Sequence, residues 1–188
     1  MHMYSNGGTA GKLLVSSPKM DSDIFGQSVI LMLGHDSDGA IGVILNRQTH
    51  SLNLRDLCQE MQIPSGSVPK NKIRLGGPLS MNTGIVVHSP CYEHETTIDI
   101  NTDCKITACA DVLLDIEKGH GPKKSLFILG YAGWDSGQLE DEIKDNDWIL
   151  MDPTEALIFD KKPHNAWKKA LTQSGIGRFA YTPVSGNA

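Results

Sequence analysis

The chain has 188 residues, enough for a single domain with a sizeable hydrophobic core, and we predict one domain over residues 1–188. Its hydrophobic content of 39% and mean hydropathy of −0.23 are those of an ordinary globular protein. No apolar run approaches the roughly 18–20 residues that a membrane span needs, so we expect no membrane association. The net charge of −5 argues against direct nucleic-acid binding, because nucleic-acid binders usually carry a basic patch that neutralises phosphates.

Basic residues are scattered along the chain, and two short lysine pairs, Lys123-Lys124 and Lys161-Lys162, have acidic residues nearby in sequence. This pattern predicts no extended basic surface for nucleic acid, although a local basic patch could still form.

The N-terminus is polar and lacks the basic and apolar regions of a secretion signal, so we expect a cytoplasmic protein with reduced thiols. Residues 1–10 are predicted to be a frayed end and residues 177–188 an irregular tail. No two cysteines have CxxC spacing, which argues against a metal site or a redox dithiol. The four are Cys58, Cys91, Cys104 and Cys109.

Hydrophobic periodicity predicts the elements of the first half of the chain. A strand is predicted over residues 11–16, followed by a hairpin whose strands cover 27–34 and 40–45, because 35–39 have strong turn chemistry. An amphipathic helix over 52–61 and a short strand over 72–75 complete this half.

The second half continues with short strands and helices. A strand is predicted over 84–89, a hairpin over 96–100 and 105–107, a helix over 111–118 and a strand over 125–129. A strand over 148–151 and helices over 154–159 and 165–173 follow. Hairpins and helices mix without strict βαβ alternation, which predicts an α+β fold with a mixed sheet.

The segment from Gly130 to Ile143 has the densest pattern in the chain. We interpret residues 130–134 as a glycine-rich turn carrying an indole, between the strand over 125–129 and a helix. Asp135 is predicted to cap that helix, with Gln138 at the reciprocal capping-box position.

Motifs spread over nearly the whole chain resemble the YqgE/AlgH family of bacterial proteins. They are Gly11-Lys12-Leu13-Leu14, His35-Asp36, Gly39-Ala40-Ile41-Gly42, Leu45-Asn46-Arg47, Gly76-Gly77-Pro78, Gly84, Val87-His88, residues 130–134, Gly137-Gln138-Leu139-Glu140, Glu142, Trp148, Trp167, Ala170 and Gly175. The sequence departs from the family pattern at residues 21–25 and at Asp135-Ser136, which leaves the local turn shapes open.

The resemblance implies a compact α+β fold with a barrel-like, bifurcated β-sheet surrounded by helices. It implies no established catalytic activity, and we expect no cofactor. It also implies a link between some members and transcriptional regulation.

Three glycine-bearing segments begin or end strands, and glycine there suggests close backbone packing or a shared concave edge. We predict that Gly76, Gly77 and Pro78 lie beside residues 130–134, with His88 or Asn46 lining the same depression. Trp134 is predicted to be partly exposed there, with its ring available to a ligand or partner. The competing interpretation is a tight structural turn beside a core indole.

Polar side chains supply the remaining candidates. His35 and His88 both end predicted strands and could meet at one sheet edge beside Asp36 or Glu140, where they could bind metal or transfer protons. They could equally be hydrogen-bonded histidines that hold loops in place. Gln138, Glu140 and Glu142 could form a polar ligand face, or only complement the helix N-terminus.

These observations favour a non-enzymatic binding or regulatory module with an unknown protein or small-molecule partner. The alternative is a small-molecule hydrolase or transferase that uses His35, His88 and a carboxylate such as Glu140. The oligomeric state does not follow from the sequence.

Overall fold

The computed structural model describes residues 8–68 and 72–175. The predicted tail over 177–188 and most of the predicted frayed end over 1–10 therefore lie outside the described residues. Within the described ranges, no helix is long and apolar enough to cross a membrane.

The described residues form ten strands and five helices. The strands are β1 Leu13–Ser16, β2 Val29–Asp36, β3 Gly39–Ile44, β4 Gln48–Asn53, β5 Lys72–Leu75, β6 Leu79–His88, β7 Ile98–Asp99, β8 Lys105–Ala108, β9 Ser125–Asp135 and β10 Trp148–Met151. The helices are α1 Leu54–Glu60, α2 Cys109–Glu117, α3 Gln138–Lys144, α4 Glu155–Ile158 and α5 Pro163–Gln173.

The strands form a curled half-barrel with the order β10-β1-β2-β3-β9-β6-β8-β7, and β4 and β5 pair beside it. β5 runs parallel to β9, whereas the other strand pairs of the described residues are antiparallel. This confirms the predicted α+β fold with a mixed sheet. The strand β2 is buried over its first seven residues because side chains pack on both of its faces.

The long strand β9 is where the sheet divides. Its C-terminal part pairs with β3, from Ala132 to Asp135, while its N-terminal part pairs with β6 and β5. Gly130 lies at the junction with φ = 71°, a left-handed conformation that favours glycine over other residues. The bifurcation implied by the family resemblance therefore depends on this one strand.

The prediction of a turn over residues 130–134 is wrong, because β9 continues through them to Asp135. Ala132 and Trp134 are buried and Gly133 is exposed, which is strand alternation that the glycines had obscured. Asp135 is therefore a strand residue and does not cap α3. The residue before this helix is Gly137, and Gln138 Oε1 accepts a hydrogen bond from the Asp135 N–H at 3.0 Å.

The other predicted elements are present with small shifts of their ends. The largest difference is β6, which starts at Leu79 and not near residue 84. Leu79 pairs with Tyr131 and Gly84 with Leu129, so residues 80–83 form a wide bulge opposite Gly130. A bulge of exposed residues has no regular alternation, which is why the pattern did not show it.

Candidate functional site

The segment of Gly76 and Gly77 packs directly against β9, as predicted. The Gly76 N–H donates to the Leu129 carbonyl at 2.8 Å, and the Gly76 carbonyl accepts from the Ile44 N–H at 2.9 Å. A Cβ atom at Gly77 would lie 2.3 Å from the carbonyl carbon of Tyr131. Glycine is required here because the two backbones touch.

The β6 bulge protrudes from this contact. Residues 78–83 are all exposed, and two of them are large and apolar: Leu79 is 44% exposed and Met81 43%. Both lie over glycines of β9, since a Cβ atom at Gly133 would be 2.9 Å from Leu79 Cδ1 and one at Gly130 would be 2.9 Å from Met81 Sδ. The glycines therefore make room for two half-exposed apolar side chains.

The prediction that Trp134 is partly exposed is wrong, because this residue is only 7% exposed. Its ring lies 6.4 Å from Phe25 and 6.0 Å from Trp148, measured between centroids. Its indole N–H donates to Glu142 Oε2 at 2.9 Å. Trp134 is a core residue because Ala132, Leu139 and these rings fill the space around it.

The two candidate histidines do not meet at one sheet edge. His88 pairs with Ser125 at the start of β9, whereas His35 pairs with Ala40, which pairs with Trp134 near its end. Nine residues of strand separate these levels, roughly 30 Å in an extended strand. They therefore cannot share a proton.

His88 is completely buried, and both of its ring nitrogens are engaged. Nδ1 lies 3.0 Å from the Ser89 carbonyl and Nε2 lies 2.8 Å from Thr107 Oγ1. Because a carbonyl only accepts, the neutral ring donates from Nδ1 and accepts the Thr107 hydroxyl proton at Nε2. Burial lowers the His88 pKa, partly offset by the hydrogen bond to the Ser89 carbonyl.

His35 does contact the predicted carboxylate. Its Nε2 lies 3.1 Å from Glu140 Oε1, and its Nδ1 lies 3.1 Å from Thr9 Oγ1. The imidazole is buried, whereas the Glu140 side chain is 46% exposed. The pair joins the end of β2 to the first turn of α3.

Asn46 lies in a different depression from the glycine contact. Its Oδ1 accepts from the Val29 N–H at 2.9 Å and its Nδ2 donates to the Gln27 carbonyl at 2.8 Å. The depression there has a volume of about 470 Å³, and Arg47 and His164 also line it. The prediction that Asn46 or His88 lines the depression beside Gly77 is wrong, because both side chains form hydrogen bonds elsewhere in the fold.

Gln138 is exposed at the start of α3, and its amide is used at both ends. Its Oε1 accepts from the Asp135 N–H, as described above, and its Nε2 donates to Glu142 Oε1 at 2.8 Å.

Across residues 8–68 and 72–175, no group of three or more histidine, cysteine or acidic side chains is arranged to hold a metal ion.

The sequence interpretation missed three residues that the structure makes prominent. Leu79 and Met81 lie in a segment without periodicity, and Arg74 is an isolated cation in a short strand. The signal that was available is the sequence Gly-Gly-Pro directly before Leu79, which marks a chain that packs tightly and then turns outward.

Together, these observations define an α+β half-barrel whose glycine segments position a protruding, partly apolar bulge. The model of the AlgH-like family matches residues 13–178, so the chain belongs to this family and the resemblance is confirmed. A UPF0301 protein from Jannaschia sp. (strain CCS1) is 38% identical over 181 residues, which are 95% of this chain and 94% of that protein. A second UPF0301 protein, from Ruegeria pomeroyi, is 37% identical, with 95% and 98% covered.

Two solved structures are similar to this fold. The solution structure of the AlgH protein from Pseudomonas aeruginosa has a TM-score of 0.77 and 31% identity, with both chains covered completely. A crystal structure of a Corynebacterium diphtheriae protein has a TM-score of 0.73 at 20% identity, with 97% of this chain and 92% of that chain covered. The second likeness shows the fold alone.

Proposed function

We propose that this chain is a non-enzymatic binding module whose partner is a protein with an apolar contact patch and a basic rim. The observation that carries the proposal is the exposure of Leu79 and Met81 on the β6 bulge, beside two carboxylates. The term Leu79 surface is used for the four side chains Leu79, Met81, Asp36 and Asp135.

The strand register places the carboxylates on the same side of the sheet as Leu79. Asp36 pairs with Gly39, which pairs with Asp135, and directly opposed residues of neighbouring strands face the same side. Gly133 precedes Asp135 by two residues and shares that side. Leu79 covers Gly133, so Leu79 and both carboxylates belong to one face, and Met81 follows Leu79 by two residues on the same exposed bulge.

The chemistry of the Leu79 surface defines the complementary partner. Burying a leucine or methionine side chain contributes on the order of 1.5–3 kcal/mol each when exposure is complete, and about half of that at the exposure seen here. Asp36 and Asp135 are exposed and form no ion pair with any described cation. Basic residues at the rim of a partner would complement these charges and speed association.

A regulatory output would then arise through the bound protein. The net charge of −5 supports an indirect role in transcription, in which the chain acts on a protein and not on DNA. Cys58, Cys91 and Cys104 are free thiols in the structure, which fits the proposed cytoplasmic location.

The test compares two matched variants of the full chain. Leu79→Ser with Met81→Ser removes the apolar contact, and Leu150→Ser with Met61→Ser removes exposed apolar side chains from other places, at 44% and 39% exposure. Each variant is immobilised and exposed to a cell lysate. We purify any protein that the wild type and the control retain but the Leu79/Met81 variant does not, and titrate it against the three forms of the chain by calorimetry. We expect a loss of affinity of about tenfold or more, since two apolar contacts are removed.

Two results would contradict the proposal. The first is a purified partner that binds the Leu79/Met81 variant as tightly as the wild type. The second is a dimer of the wild type, seen by sedimentation velocity, that the Leu79/Met81 variant loses, because the surface would then be occupied by a second copy of this chain.

The contact between His35 and Glu140 favours a second candidate, a hydrolase or transferase with a His/carboxylate pair. The exposed Glu140 would receive or supply the proton, with His35 as its neighbour. A panel of ester and phosphate substrates tests it with Glu140→Gln as the inactive variant and Asp141→Asn as the control. Turnover that Glu140→Gln leaves unchanged would exclude the pair.

A further inference from the structure

We propose that a cationic cleft between β5, the start of β9 and α4 binds an organic phosphate, a small molecule that joins a phosphate group to an apolar or aromatic body. The cleft is distinct from the Leu79 surface and has a volume of about 590 Å³, within the usual range of small-molecule sites.

The charge of the cleft is opposite to that of the whole protein. Five basic side chains line it, against two acidic ones, Glu155 and Asp160, although acids outnumber bases by 22 to 17 along the chain. The basic residues are Lys72, Arg74, Lys123, Lys124 and Lys161. The fold thus gathers members of both lysine pairs, which are 38 residues apart in sequence, into one local basic patch.

Both acids are already paired. Glu155 Oε1 accepts from Lys124 Nζ at 2.8 Å, and Asp160 Oδ2 accepts from Lys169 Nζ at 2.6 Å. Four cations of the cleft form no ion pair with a carboxylate of the described residues: Lys72, Arg74, Lys123 and Lys161. The net field in the cleft is therefore positive.

Arg74 is the strongest single indication that the cleft binds an anion. It is only 6% exposed, and its two hydrogen bonds go to backbone carbonyls, from Nη1 to Leu45 and from Nη2 to Asp160 at 3.1 Å. Desolvation lowers its pKa to about 10, and the Asp160 carboxylate opposes that shift only from a distance. A buried cation without a bonded anion is costly, and three of the five guanidinium N–H donors are not used by these bonds.

The rest of the lining determines what the phosphate is attached to. Phe127, Phe159, Leu126 and Ile116 line the same cleft as the lysines. A guanidinium beside several ammonium groups suits a doubly charged phosphate, and the aromatic wall suits an apolar or planar body next to it. The size of the cleft selects a small molecule over a duplex, which would need an extended basic surface.

The probe is phenyl phosphate, titrated into the full chain and followed by calorimetry and by chemical-shift changes. Inorganic phosphate tests the charge alone, and phenol tests the ring alone. We expect phenyl phosphate to bind more tightly than inorganic phosphate, phenol not to bind, and added salt to weaken binding because the contacts are charged. The shifts should concentrate at residues 72–74, 123–127 and 159–161.

Variants connect the binding to the named residues. Lys123→Gln with Lys161→Gln is expected to weaken phenyl phosphate binding by about tenfold, since each exposed charge contact contributes roughly threefold. Lys118→Gln with Lys144→Gln changes the net charge equally outside the cleft and should leave the affinity unchanged. Arg74→Lys should weaken binding further. If Arg74→Lys does not fold, the variant Lys123→Gln with Lys161→Gln still tests the proposal.

Each contrary outcome overturns the proposal. No binding of phenyl phosphate at millimolar concentration would do so, as would equal affinities of the cleft and control variants. A short DNA duplex that binds through Lys123 and Lys161 while phenyl phosphate does not would replace the small molecule by nucleic acid.

Discussion

Trp134 lies edge-to-face with Trp148, with ring centroids 6.0 Å apart, and both indoles donate to the same carboxylate oxygen. Glu142 Oε2 accepts from Trp134 Nε1 at 2.9 Å and from Trp148 Nε1 at 2.7 Å. One carboxylate on α3 therefore satisfies two buried donors, on β9 and β10. Glu142 thereby connects both indoles to α3.

Glu142→Ala should lower the free energy of unfolding by about 2–4 kcal/mol, because it removes two charge-assisted hydrogen bonds and leaves two buried N–H groups without an acceptor. Urea unfolding followed by tryptophan fluorescence measures this. Asp141→Ala on the same helix is the control, since its ion pair with Lys144 is solvent-exposed and should contribute little to stability. Equal losses in the two variants would contradict the structural role of Glu142.

Local patterns predicted most of the strands and helices, because each has a clear hydrophobic period and a turn residue at its ends. The turn assigned to residues 130–134 failed for a physical reason. Glycine signals both a turn and a close backbone approach, and only the tertiary contact with Gly77 distinguishes the two.

The candidate site could be predicted only in part. The contact of Gly76 and Gly77 with β9 followed from the glycines, and Glu140, one of the two carboxylates considered beside the histidines, does contact His35. The exposure of Trp134 was not predictable, because it depends on rings distant in sequence, Phe25 and Trp148. The cleft was hidden for the same reason, since its lysines meet only in the folded chain.

Gly77→Ala should prevent stable folding or lower the free energy of unfolding by roughly 3 kcal/mol or more. The new Cβ would lie 2.3 Å from the Tyr131 carbonyl group, and φ at this residue is 153°. Gly119→Ala is the control, because no atom lies within 4 Å of its Cβ position although its φ is 79°. Its cost should be only about 1–2 kcal/mol. Thermal unfolding compares the two, and similar melting temperatures would argue against the backbone contact.

His88 should make the protein less stable at mildly acidic pH. Its pKa is lowered by burial and by the charge of Lys105, which outweigh the raising effects of the Ser89 carbonyl and Glu93, so the unfolded chain binds the proton more readily. Below the ordinary histidine pKa of 6.5, stability should therefore fall with pH until the folded-state pKa is reached.

The measurement is the urea midpoint at a series of pH values from about 8 down to about 5.5, the range in which an ordinary histidine titrates. His88→Asn should give a flatter profile than the wild type, even if it is less stable throughout. His120→Asn replaces an exposed histidine and should keep the wild-type slope. Parallel profiles for the wild type and His88→Asn would remove His88 as the cause.

Cys91 should be the most reactive of the three thiols whose surroundings the structure describes, Cys58, Cys91 and Cys104. The Ser89 hydroxyl lies 3.3 Å from its Sγ and lowers its pKa, with a smaller contribution from Lys123. Burial raises the pKa of Cys58, and it raises the pKa of Cys104 to about 12, so both form less of the reactive thiolate. Iodoacetamide at neutral pH, with peptide mapping by mass spectrometry, should find Cys91 alkylated first. Ser89→Ala should slow that reaction several-fold and shift its pH profile upward, whereas an unchanged rate would show that exposure alone determines the order.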